Sequence, residues 1–248
     1  MQTNNVMAMS KILGFKVSDL NKEEILKKID LDLKKSKTNI IFNINPVIVT
    51  NFYKDDVCKK EFNKESYQIP DGVGILFASK LNGNKIKKRI TGIDIFDDIC
   101  KIACDNKYKI ILYGGKSGVG SKCRDKLLKL YPNIKSIDVI NGYVDEKKAL
   151  KKINKSGADI LFVGTGSPKQ EKFIIDNKEK FKNIKLIMPI GGTLDVICGD
   201  LKRAPKIFIK FNLEWLYRMI KEPKRIKDCG KLIKFVFLVT FKNNHYNR

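Results

Sequence analysis

The middle of the chain alternates between short apolar segments that favour strands and amphipathic segments that favour helices. The strand-like segments cover residues 39–44, 67–69, 109–113, 136–140, 159–163 and 184–190. Each one runs into a turn, after which apolar residues recur at three- and four-residue spacing. Strands and helices that alternate in this way are typical of a parallel sheet covered by helices. We therefore predict an α/β fold of the Rossmann-like, doubly wound type with a mainly parallel sheet.

This alternation ends after Gly191, where basic, helix-like segments follow one another without strands. Residues 213–220 and 232–241 are apolar stretches that also carry lysine or arginine. The sequence thus predicts an α/β domain over residues 1–200 and a basic, amphipathic C-terminal appendage over residues 201–248. Such an appendage suits a membrane interface or a partner groove. A helix pair packed on the sheet would have the same amphipathicity, so both interpretations remain open.

The chain is strongly basic, with 50 Lys and Arg residues against 27 Asp and Glu residues and a formal net charge of +23. Between Asp200 and Arg248 there are 13 basic and 4 acidic residues, so the excess is concentrated in the predicted appendage. A positive excess of this size favours polyanionic partners, namely nucleic acid, an anionic membrane or phosphorylated substrates.

The histidine and cysteine content of the chain limits the catalytic and metal-binding chemistry that it can carry out. His245 is the only histidine in the sequence, which argues against a Ser-His-Asp triad, a His-ligated zinc site or a histidine base. The six cysteines form neither a CxxC pair nor a zinc-binding spacing, which favours buried free thiols. Residues 1–10 lack the apolar core of a secretory signal, and no apolar run reaches the roughly 20 residues of a membrane span. We therefore expect a reduced, cytoplasmic protein whose general-base chemistry depends on a carboxylate.

Asp71 is a carboxylate in a position that suits such a role. It lies between the apolar segment that ends near Ile69 and a helical period that begins at Val73. In an alternating α/β chain this position is the carboxyl end of a strand, where open parallel sheets bind ligands. A carboxylate there can serve as a general base if it reaches the proton that it must abstract. The alternative is that Asp71 only caps the helix and forms a turn with Gly72.

Three glycine-containing loops also follow strand-like segments, at residues 114–120, 164–171 and 191–195. A glycine loop that opens a helix suits a phosphate group at the helix N-terminus. The first loop matches neither GxGxxG nor a Walker motif. Because the carboxyl ends of parallel strands share one edge of a sheet, we expect the three loops, Asn45 and Asp71 to lie at that edge. Their convergence is more informative than any single loop.

Six motifs that stand in order along the chain carry a resemblance to a known family. They are Asn43-Ile44-Asn45-Pro46, Pro70-Asp71-Gly72-Val73-Gly74, Arg89-Ile90-Thr91-Gly92-Ile93-Asp94, the segment from Gly164 to Glu171, the segment from Gly191 to Asp195, and Glu214-Trp215-Leu216-Tyr217-Arg218. Over residues 11–226 the chain resembles the WecG/TagA/CpsF glycosyltransferases.

The resemblance implies a metal-independent, inverting transfer of a sugar from a UDP-sugar to a polyprenyl-diphosphate-linked acceptor. By analogy with the best-known members, the sugar is N-acetylmannosamine and the acceptor is N-acetylglucosaminyl-diphospho-undecaprenol, in the synthesis of teichoic acid or another cell-surface polysaccharide. The enzyme would use no cofactor and would act as a peripheral protein on the anionic inner face of the cell membrane. Whether it forms a homo-oligomer stays open.

The resemblance also implies roles for individual residues. Asp71 would deprotonate the acceptor hydroxyl, Arg89 would stabilise the departing diphosphate, and Asn45 would orient a sugar. Gln170 would contact the donor or the acceptor. The residues expected to bind the nucleotide-sugar are Asn43, Gly114, Gly115, Gly164, Gly166, Gly192 and Asp195, and those expected to hold the lipid diphosphate are Arg218, Lys224 and Arg225. Asn43 replaces the threonine that the family commonly has, so its role stays open.

Asp30-Leu31-Asp32 has the DxD form that binds metal ions in many glycosyltransferases. Here the string falls inside a helical period and is flanked by lysines. We interpret it as a solvated helix face, because charge strings are common on amphipathic helices.

Two other classes compete with glycosyl transfer. A basic nucleic-acid-binding α/β protein would explain the net charge, but it gives the strand-end glycine loops no purpose. A nicotinamide dehydrogenase would need the GxGxxG motif and a downstream acidic residue, which this chain lacks. Nucleic-acid binding is therefore the alternative that we keep, although we expect no specific nucleic-acid partner.

Overall fold

The computed structural model of the protein describes residues 9–65, 67–83, 86, 88–221 and 226–242, with the backbone alone at residues 226 and 227. Six strands form the central sheet: β3 (Asn39–Ile44), β4 (Tyr67–Pro70), β5 (Lys109–Gly114), β6 (Ser136–Ile140), β7 (Ile160–Gly164) and β8 (Leu186–Pro189). The sheet is parallel, is flanked by helices and has the strand order β4-β3-β8-β7-β5-β6. The predicted α/β fold is confirmed, and each predicted strand agrees with the observed one to within two residues at either end.

Twelve α-helices and one short 3₁₀ helix lie in the described part of the chain. They are α1 (Lys22–Leu33), α2 (Pro46–Phe52), α3 (Asp56–Lys64), α4 (Val73–Leu81), α5 (Gly92–Asp105), α6 (Val119–Leu130), α7 (Glu146–Ser156), α8 (Lys169–Asn177), α9 (Thr193–Cys198), α10 (Lys206–Lys210), α11 (Glu214–Lys221) and α12 (Ile226–Lys242), with the 3₁₀ helix at Lys178–Lys180. Among these, no helix combines the length and the apolarity that a bilayer crossing requires.

All strands of the sheet except the edge strand β6 are buried along almost their whole length. Every residue of β4 and β8 is buried, and in β7 only the terminal Gly164 is partly exposed. Parallel strands that are covered on both faces form continuous apolar runs, which is why the sequence reveals them clearly. The register pairs Gly114 of β5 with Gly164 of β7, and Val163 with Pro189 of β8. The loops that leave these three strands therefore start side by side.

A two-stranded antiparallel hairpin, β1 (Met9–Ile12) and β2 (Phe15–Ser18), precedes the sheet and was not predicted. Its turn residues, Leu13 and Gly14, have φ values of 49° and 85°. Two-residue hairpin turns of this kind favour Asn-Gly or Asp-Gly, and leucine rarely adopts a positive φ. The usual hairpin signal is therefore missing from the sequence, although Phe15 is fully buried in the folded protein.

The spacing of the apolar residues Val47, Val49, Phe52, Val57 and Phe62 predicts one helix after β3. The structure instead has two helices here, α2 and α3. The carboxylate of Asp55 accepts a hydrogen bond from the backbone N–H of Cys58 at 2.9 Å and so caps α3. An N-cap aspartate satisfies one of the N–H groups that have no partner in the first turn of a helix. The cap begins a new helix, and Val57, which was assigned to the apolar face, is 74 % exposed.

The chain divides into two compact units by the contacts within it. The first unit contains the described residues within 1–25, 43–91 and 204–248. The second unit contains residues 26–42 and 92–203. The predicted division into a domain over residues 1–200 and an appendage over residues 201–248 stays a prediction.

In the first unit, helix α12 packs on α2 and α4. Its buried side chains are Phe235, Leu238 and Val239, and the hydroxyl of Thr50 in α2 donates to the carbonyl of Lys231 at 3.1 Å. The opposite face of α12 exposes apolar side chains at Ile233, Val236, Phe237 and Phe241. Packing on α2 and α4 therefore explains one apolar face of α12, but it does not explain the exposed apolar face.

Candidate functional site

Backbone hydrogen bonds in the first unit bring three of the predicted site residues onto neighbouring turns. The N–H of Asp71 donates to the carbonyl of Ile44 at 2.9 Å, next to Asn45. The N–H of Ile90 donates to the carbonyl of Pro70 at 2.8 Å, next to Arg89. These two bonds hold the turns that carry Asn45, Asp71 and Arg89 next to one another. The catalytic roles predicted for the three residues stay predictions.

Gly72 is needed where the turn after β4 meets the turn after β3. Its φ is +84°, and an added Cβ would lie 3.4 Å from Cδ of Pro46. Gly72 is also the residue at the N-cap position of α4, where it supplies no side-chain cap. The interpretation of Asp71 as the N-cap of this helix is therefore wrong, and the half-buried Asp71 carboxylate lies one residue before the cap.

Asn45 caps α2, as its sequence position suggests. Its backbone is extended, and its Oδ1 accepts a hydrogen bond from the N–H of Ile48 at 3.0 Å. Because Oδ1 is held by the helix, Nδ2 is the side-chain atom through which Asn45 can contact a ligand. The neighbouring candidate, Asn43, lies near the carboxyl end of β3 and is half-buried.

The guanidinium of Arg89 is held by the segment around α10 and α11 within the first unit. Its Nη2 lies 3.4 Å from the carbonyl oxygen of Ile209 and 3.7 Å from Oε2 of Glu214. The other oxygen of Glu214, Oε1, pairs with Nη2 of Arg218 at 3.3 Å. Glu214 is buried, and its carboxylate therefore joins the two arginines that were predicted to contact diphosphate groups.

Sequence reasoning gave Glu214 no role. One feature of the sequence does indicate its ion pair with Arg218. The two residues are four apart on a helix, a spacing that brings their side chains together. Lys224 and Arg225, the other two residues predicted to hold the lipid diphosphate, lie outside the described residues.

The three glycine loops meet in the second unit, which confirms their predicted convergence. The N–H of Gly115 donates to the carbonyl of Gly164 at 3.3 Å. An added Cβ at Gly114 would overlap the carbonyl group of Gly164, and one at Gly164 would lie 3.1 Å from the carbonyl oxygen of Gly191. Glycine is required where these backbones approach so closely. The three loops therefore lie next to one another in the second unit.

A cavity of about 410 Å³ opens beside the first glycine loop, at the ends of β5 and β6. Its charged and polar side chains are those of Lys116, Ser117, Ser121, Arg124, Asp138 and Asn141. Two cations, two hydroxyls and the N-terminus of the 12-residue helix α6 favour an anionic ligand here. The carboxylate of Asp138 can accept hydrogen bonds from hydroxyl groups. The amide of Asn141 can donate hydrogen bonds to hydroxyl groups or accept them.

Gln170 and Glu171 lie in the first turn of α8, after the second glycine loop, and both are buried. Gln170 donates from Nε2 to Oε1 of Glu171 at 2.6 Å and accepts at its own Oε1 from the N–H of Gly191 at 3.0 Å. Burial raises the pKa of the Glu171 carboxyl, and the Gln170 amide and the Ser167 hydroxyl offset part of this effect. The hydroxyl of Thr165 in the same loop is enclosed and has no hydrogen-bond partner within the described residues.

The third glycine loop leads into the short helix α9. Gly192 occupies the N-cap position and Asp195 lies in the first turn, half-buried. The carbonyl of Asp195 accepts a hydrogen bond from the N–H of Leu201 at 2.8 Å. Gly166, in the second loop, has a φ of +87°.

The acidic DxD string lies on helix α1, as interpreted from the sequence. Asp30 pairs with Lys34 at 2.8 Å, and Asp32 pairs with Lys35 at 2.7 Å. Each of these carboxylates is therefore paired with a lysine that directly follows the end of α1. Over the ranges that the structure describes, no group of three or more His, Cys, Asp or Glu side chains is arranged to hold a metal ion.

The six cysteines are free thiols, as predicted, but only Cys100, Cys123 and Cys198 are buried. Burial raises the pKa of Cys123 to about 12, and it raises the pKa of Cys100 well above its usual range. A thiol with a raised pKa is a poor nucleophile and a poor metal ligand. These two cysteines are therefore core residues.

Comparison with known proteins places this geometry in a family. The family described as "Glycosyl transferase WecG/TagA/CpsF family" matches residues 10–248. A protein of Bacillus subtilis (strain 168), named N-acetylglucosaminyldiphosphoundecaprenol N-acetyl-beta-D-mannosaminyltransferase, is 35 % identical over 201 residues, which are 81 % of this chain and 78 % of that protein. A protein of the same name from Staphylococcus aureus (strain MRSA252) is 35 % identical over 232 residues, which are 92 % of this chain and 91 % of that protein. The chain belongs to the WecG/TagA/CpsF family of glycosyltransferases.

Proposed function

We propose that this enzyme transfers N-acetylmannosamine from its UDP-sugar to N-acetylglucosaminyl-diphospho-undecaprenol, with inversion at the anomeric carbon and without a metal ion. The names of its relatives in B. subtilis and S. aureus support this donor sugar and this acceptor. The product would enter the synthesis of teichoic acid or a related cell-wall polysaccharide. Family membership favours this function over nucleic-acid binding.

The observation that carries the proposal is the placement of Asn45, Asp71 and Arg89 on neighbouring turns of the first unit. An inverting transfer needs one base, and Asp71 is a half-buried aspartate on a turn next to the turns that carry Asn45 and Arg89. Asp71 would take the proton from the acceptor hydroxyl while that oxygen attacks the anomeric carbon. The bond from this carbon to the UDP oxygen breaks, and UDP leaves with the electron pair.

Charge develops on the departing diphosphate in this step, and fixed donors can stabilise it without a metal ion. Arg89 would supply one charged donor, and Arg218, which shares the Glu214 carboxylate with it, would supply a second to a diphosphate group. Asn45, whose Oδ1 is held by the helix cap, would orient a sugar through Nδ2.

For the donor nucleotide, we assign the cavity beside the first glycine loop and the loops that meet it in the second unit. Lys116 and Arg124 would contact the diphosphate, together with backbone N–H groups of the glycine loops. Asp138 would accept hydrogen bonds from the ribose hydroxyls. The enclosed hydroxyl of Thr165 is a further donor that a ligand could satisfy.

For the membrane, we assign the exposed apolar face of α12. Phe237 and Phe241 stand on this face with their rings 4.9 Å apart, and Lys234 and Lys242 are exposed on the same helix. Apolar side chains and lysines on one amphipathic helix suit the surface of an anionic bilayer. This face would hold the enzyme at the membrane in which its lipid acceptor is embedded.

The experiment that tests the function is a screen of UDP-sugars for UDP release with a lipid-linked GlcNAc-diphosphate acceptor. We expect turnover with UDP-N-acetylmannosamine, no loss of activity in EDTA, and a product whose anomeric configuration is opposite to that of the donor. Release of UDP with no sugar on the acceptor, or retention of configuration, would contradict the proposal.

A further inference from the structure

Glu171 is a buried carboxyl to which the proposed reaction gives no role. It is 1 % exposed and lies in the first turn of α8, one residue after Gln170. Buried glutamates are rare in folded proteins unless a partner stabilises them. Here the partner is the side-chain amide of Gln170, at 2.6 Å, which is itself 5 % exposed.

The two side chains form a chain of hydrogen bonds that ends on the backbone of the third glycine loop. The N–H of Gly191 donates to Oε1 of Gln170 at 3.0 Å, and Nε2 of Gln170 donates to Oε1 of Glu171 at 2.6 Å. A backbone N–H can only donate, so the Gln170 oxygen must face Gly191 and its NH₂ group must face Glu171. An ionised carboxylate can only accept, so Glu171 enforces the same orientation from the other side.

Gly191 is a residue at which such a restraint matters. Its φ is +52°, and it begins the loop that carries Gly192 and Asp195. Its carbonyl oxygen lies in the close contact with Gly164, where the glycine loops meet. A fixed Gly191 N–H therefore fixes the backbone of the loop that follows.

Glu171 does not stabilise the fold in the way that a core residue does. Its carboxyl has a raised pKa because burial penalises the charged form. Stability that the protonated group provides at low pH is then lost as the pH rises through the raised value. Because burial penalises its charged form, this carboxyl is costlier to bury than an apolar side chain of similar size, which favours a functional reason for its presence.

We propose that Glu171 is a positioning residue that acts through Gln170 to hold Gly191 and the loop 191–195 in the conformation that binds the donor diphosphate. This inference rests on the proposed function for the identity of the ligand, but not for the hydrogen-bond chain itself. Gln170 then serves the reaction through the backbone of Gly191, since both ends of its amide are used inside the protein.

Four variants of the full-length protein test the proposal: Glu171→Met, Glu171→Gln, Gln170→Met and the double Gln170→Met/Glu171→Met. Methionine is apolar and of similar size, so it removes the hydrogen bond while filling the space. The glutamine side chain in Glu171→Gln keeps an oxygen that can accept the hydrogen bond from Gln170. Its amide can also rotate by half a turn, and this hydrogen bond is then lost. The control is Glu179→Met, which removes an exposed carboxylate from the 3₁₀ helix that follows α8.

We expect Glu171→Met to raise the KM for the UDP-sugar and the Kd for UDP by at least about 10-fold, because displacement of a binding loop by a fraction of an ångström is costly. The KM for the lipid acceptor should stay near that of the wild type, and the melting temperature should fall by only about a few degrees, because Nε2 of Gln170 loses its partner. Amide exchange at Gly191 should become faster in the same variant. Glu171→Gln should restore most of the affinity, and the double variant should be no worse than the worse single one, because both act through one chain.

Wild-type UDP affinity together with wild-type exchange at Gly191 in Glu171→Met would overturn the proposal, and so would losses that multiply in the double variant. If Glu171→Met does not fold, Gln170→Met removes the middle side chain of the same series of hydrogen bonds. The same measurements on that variant then test the proposal. If the wild-type protein binds no UDP, the donor assignment fails, while the exchange at Gly191 still decides whether Glu171 holds the loop.

Discussion

Arg89 and Glu214 form an ion pair that ties the residue before the Ile90-Thr91-Gly92 turn to the first turn of α11, with 3.7 Å between Nη2 and Oε2. Both side chains are largely enclosed, with 13 % and 8 % of their side-chain surfaces exposed. The same carboxylate reaches Arg218 at 3.3 Å. One glutamate thus pairs with two guanidinium groups, and the trio carries one excess positive charge.

Replacement of Glu214 by glutamine should therefore lower the activity without unfolding the protein. The substitution removes the charge that holds Arg89 and leaves two buried arginines to repel each other. We expect kcat to fall by about 10-fold or more, since loss of a fixed charged donor weakens transition-state stabilisation. Steady-state kinetics check this result. Glu146→Gln, at an exposed carboxylate in the first turn of α7, should behave like the wild type; equal kinetics for both variants would show that Glu214 does not position Arg89.

Asp71→Asn should abolish most of the turnover while it preserves binding of the nucleotide. Asparagine has the shape of aspartate but cannot accept the proton of the acceptor hydroxyl, so we expect kcat to fall by on the order of 100-fold or more. Calorimetric titration with UDP should give the wild-type Kd, because the role proposed for Asp71 is to take the proton of the acceptor hydroxyl and not to bind the nucleotide. The control is Asp105→Asn, at the exposed last residue of α5. Near-normal turnover of Asp71→Asn would remove Asp71 from the mechanism.

The donor cavity can be tested at Arg124, on the second turn of α6. If Arg124 contacts the diphosphate, Arg124→Ala should raise the Kd for UDP by roughly 10-fold, as expected for the loss of one charge-assisted hydrogen bond. The effect should shrink at high salt, because screening weakens the contact that the variant lacks. Lys129→Ala removes an exposed cation from the same helix outside the cavity and serves as the control. An identical UDP affinity for both variants would place the nucleotide elsewhere.

The strands and the turns of the site were predictable because they depend on local chemistry. Buried parallel strands give continuous apolar runs, and the Asn45-Pro46 and Asp71-Gly72 pairs are strong turn signals. The assignment of faces was less successful. In α4 the residues that define the apolar period, Val73, Phe77 and Leu81, are exposed, whereas the core side of that helix is formed by Ile75 and its neighbours. Periodicity shows that a helix has an apolar stripe but not what covers it.

The side-chain networks were predictable only in part, since the four-residue spacing indicates the Glu214–Arg218 pair but not its contact with Arg89. Glu171 and Glu214 lie in two of the motifs that carry the family resemblance. Nothing in the sequence spacing of either glutamate shows that its side chain is buried. Burial depends on which elements pack over a residue, and that is decided by contacts between parts of the chain that are far apart in sequence. Arg89 and Glu214, separated by more than a hundred residues, are an example.

The exposed face of α12 gives the membrane proposal its sharpest test. Removal of the whole appendage would confuse the result, because Phe235, Leu238 and Val239 of α12 are buried against the first unit and their loss would expose α2 and α4. Substitution of the outward-facing Phe237 and Phe241 by serine leaves that packing intact.

The double variant Phe237→Ser/Phe241→Ser should bind anionic vesicles at least about 10-fold more weakly, since burial of a phenylalanine side chain contributes about 1.5–3 kcal/mol. Co-sedimentation with vesicles that contain phosphatidylglycerol measures the binding. Activity on a water-soluble, short-chain acceptor should be unchanged, because the substituted side chains lie outside the proposed catalytic residues. Val57→Ser, at an exposed apolar residue of α3, is the matched control and should bind as the wild type does. If the double variant sediments with vesicles as strongly as Val57→Ser does, this face of α12 does not contact the membrane.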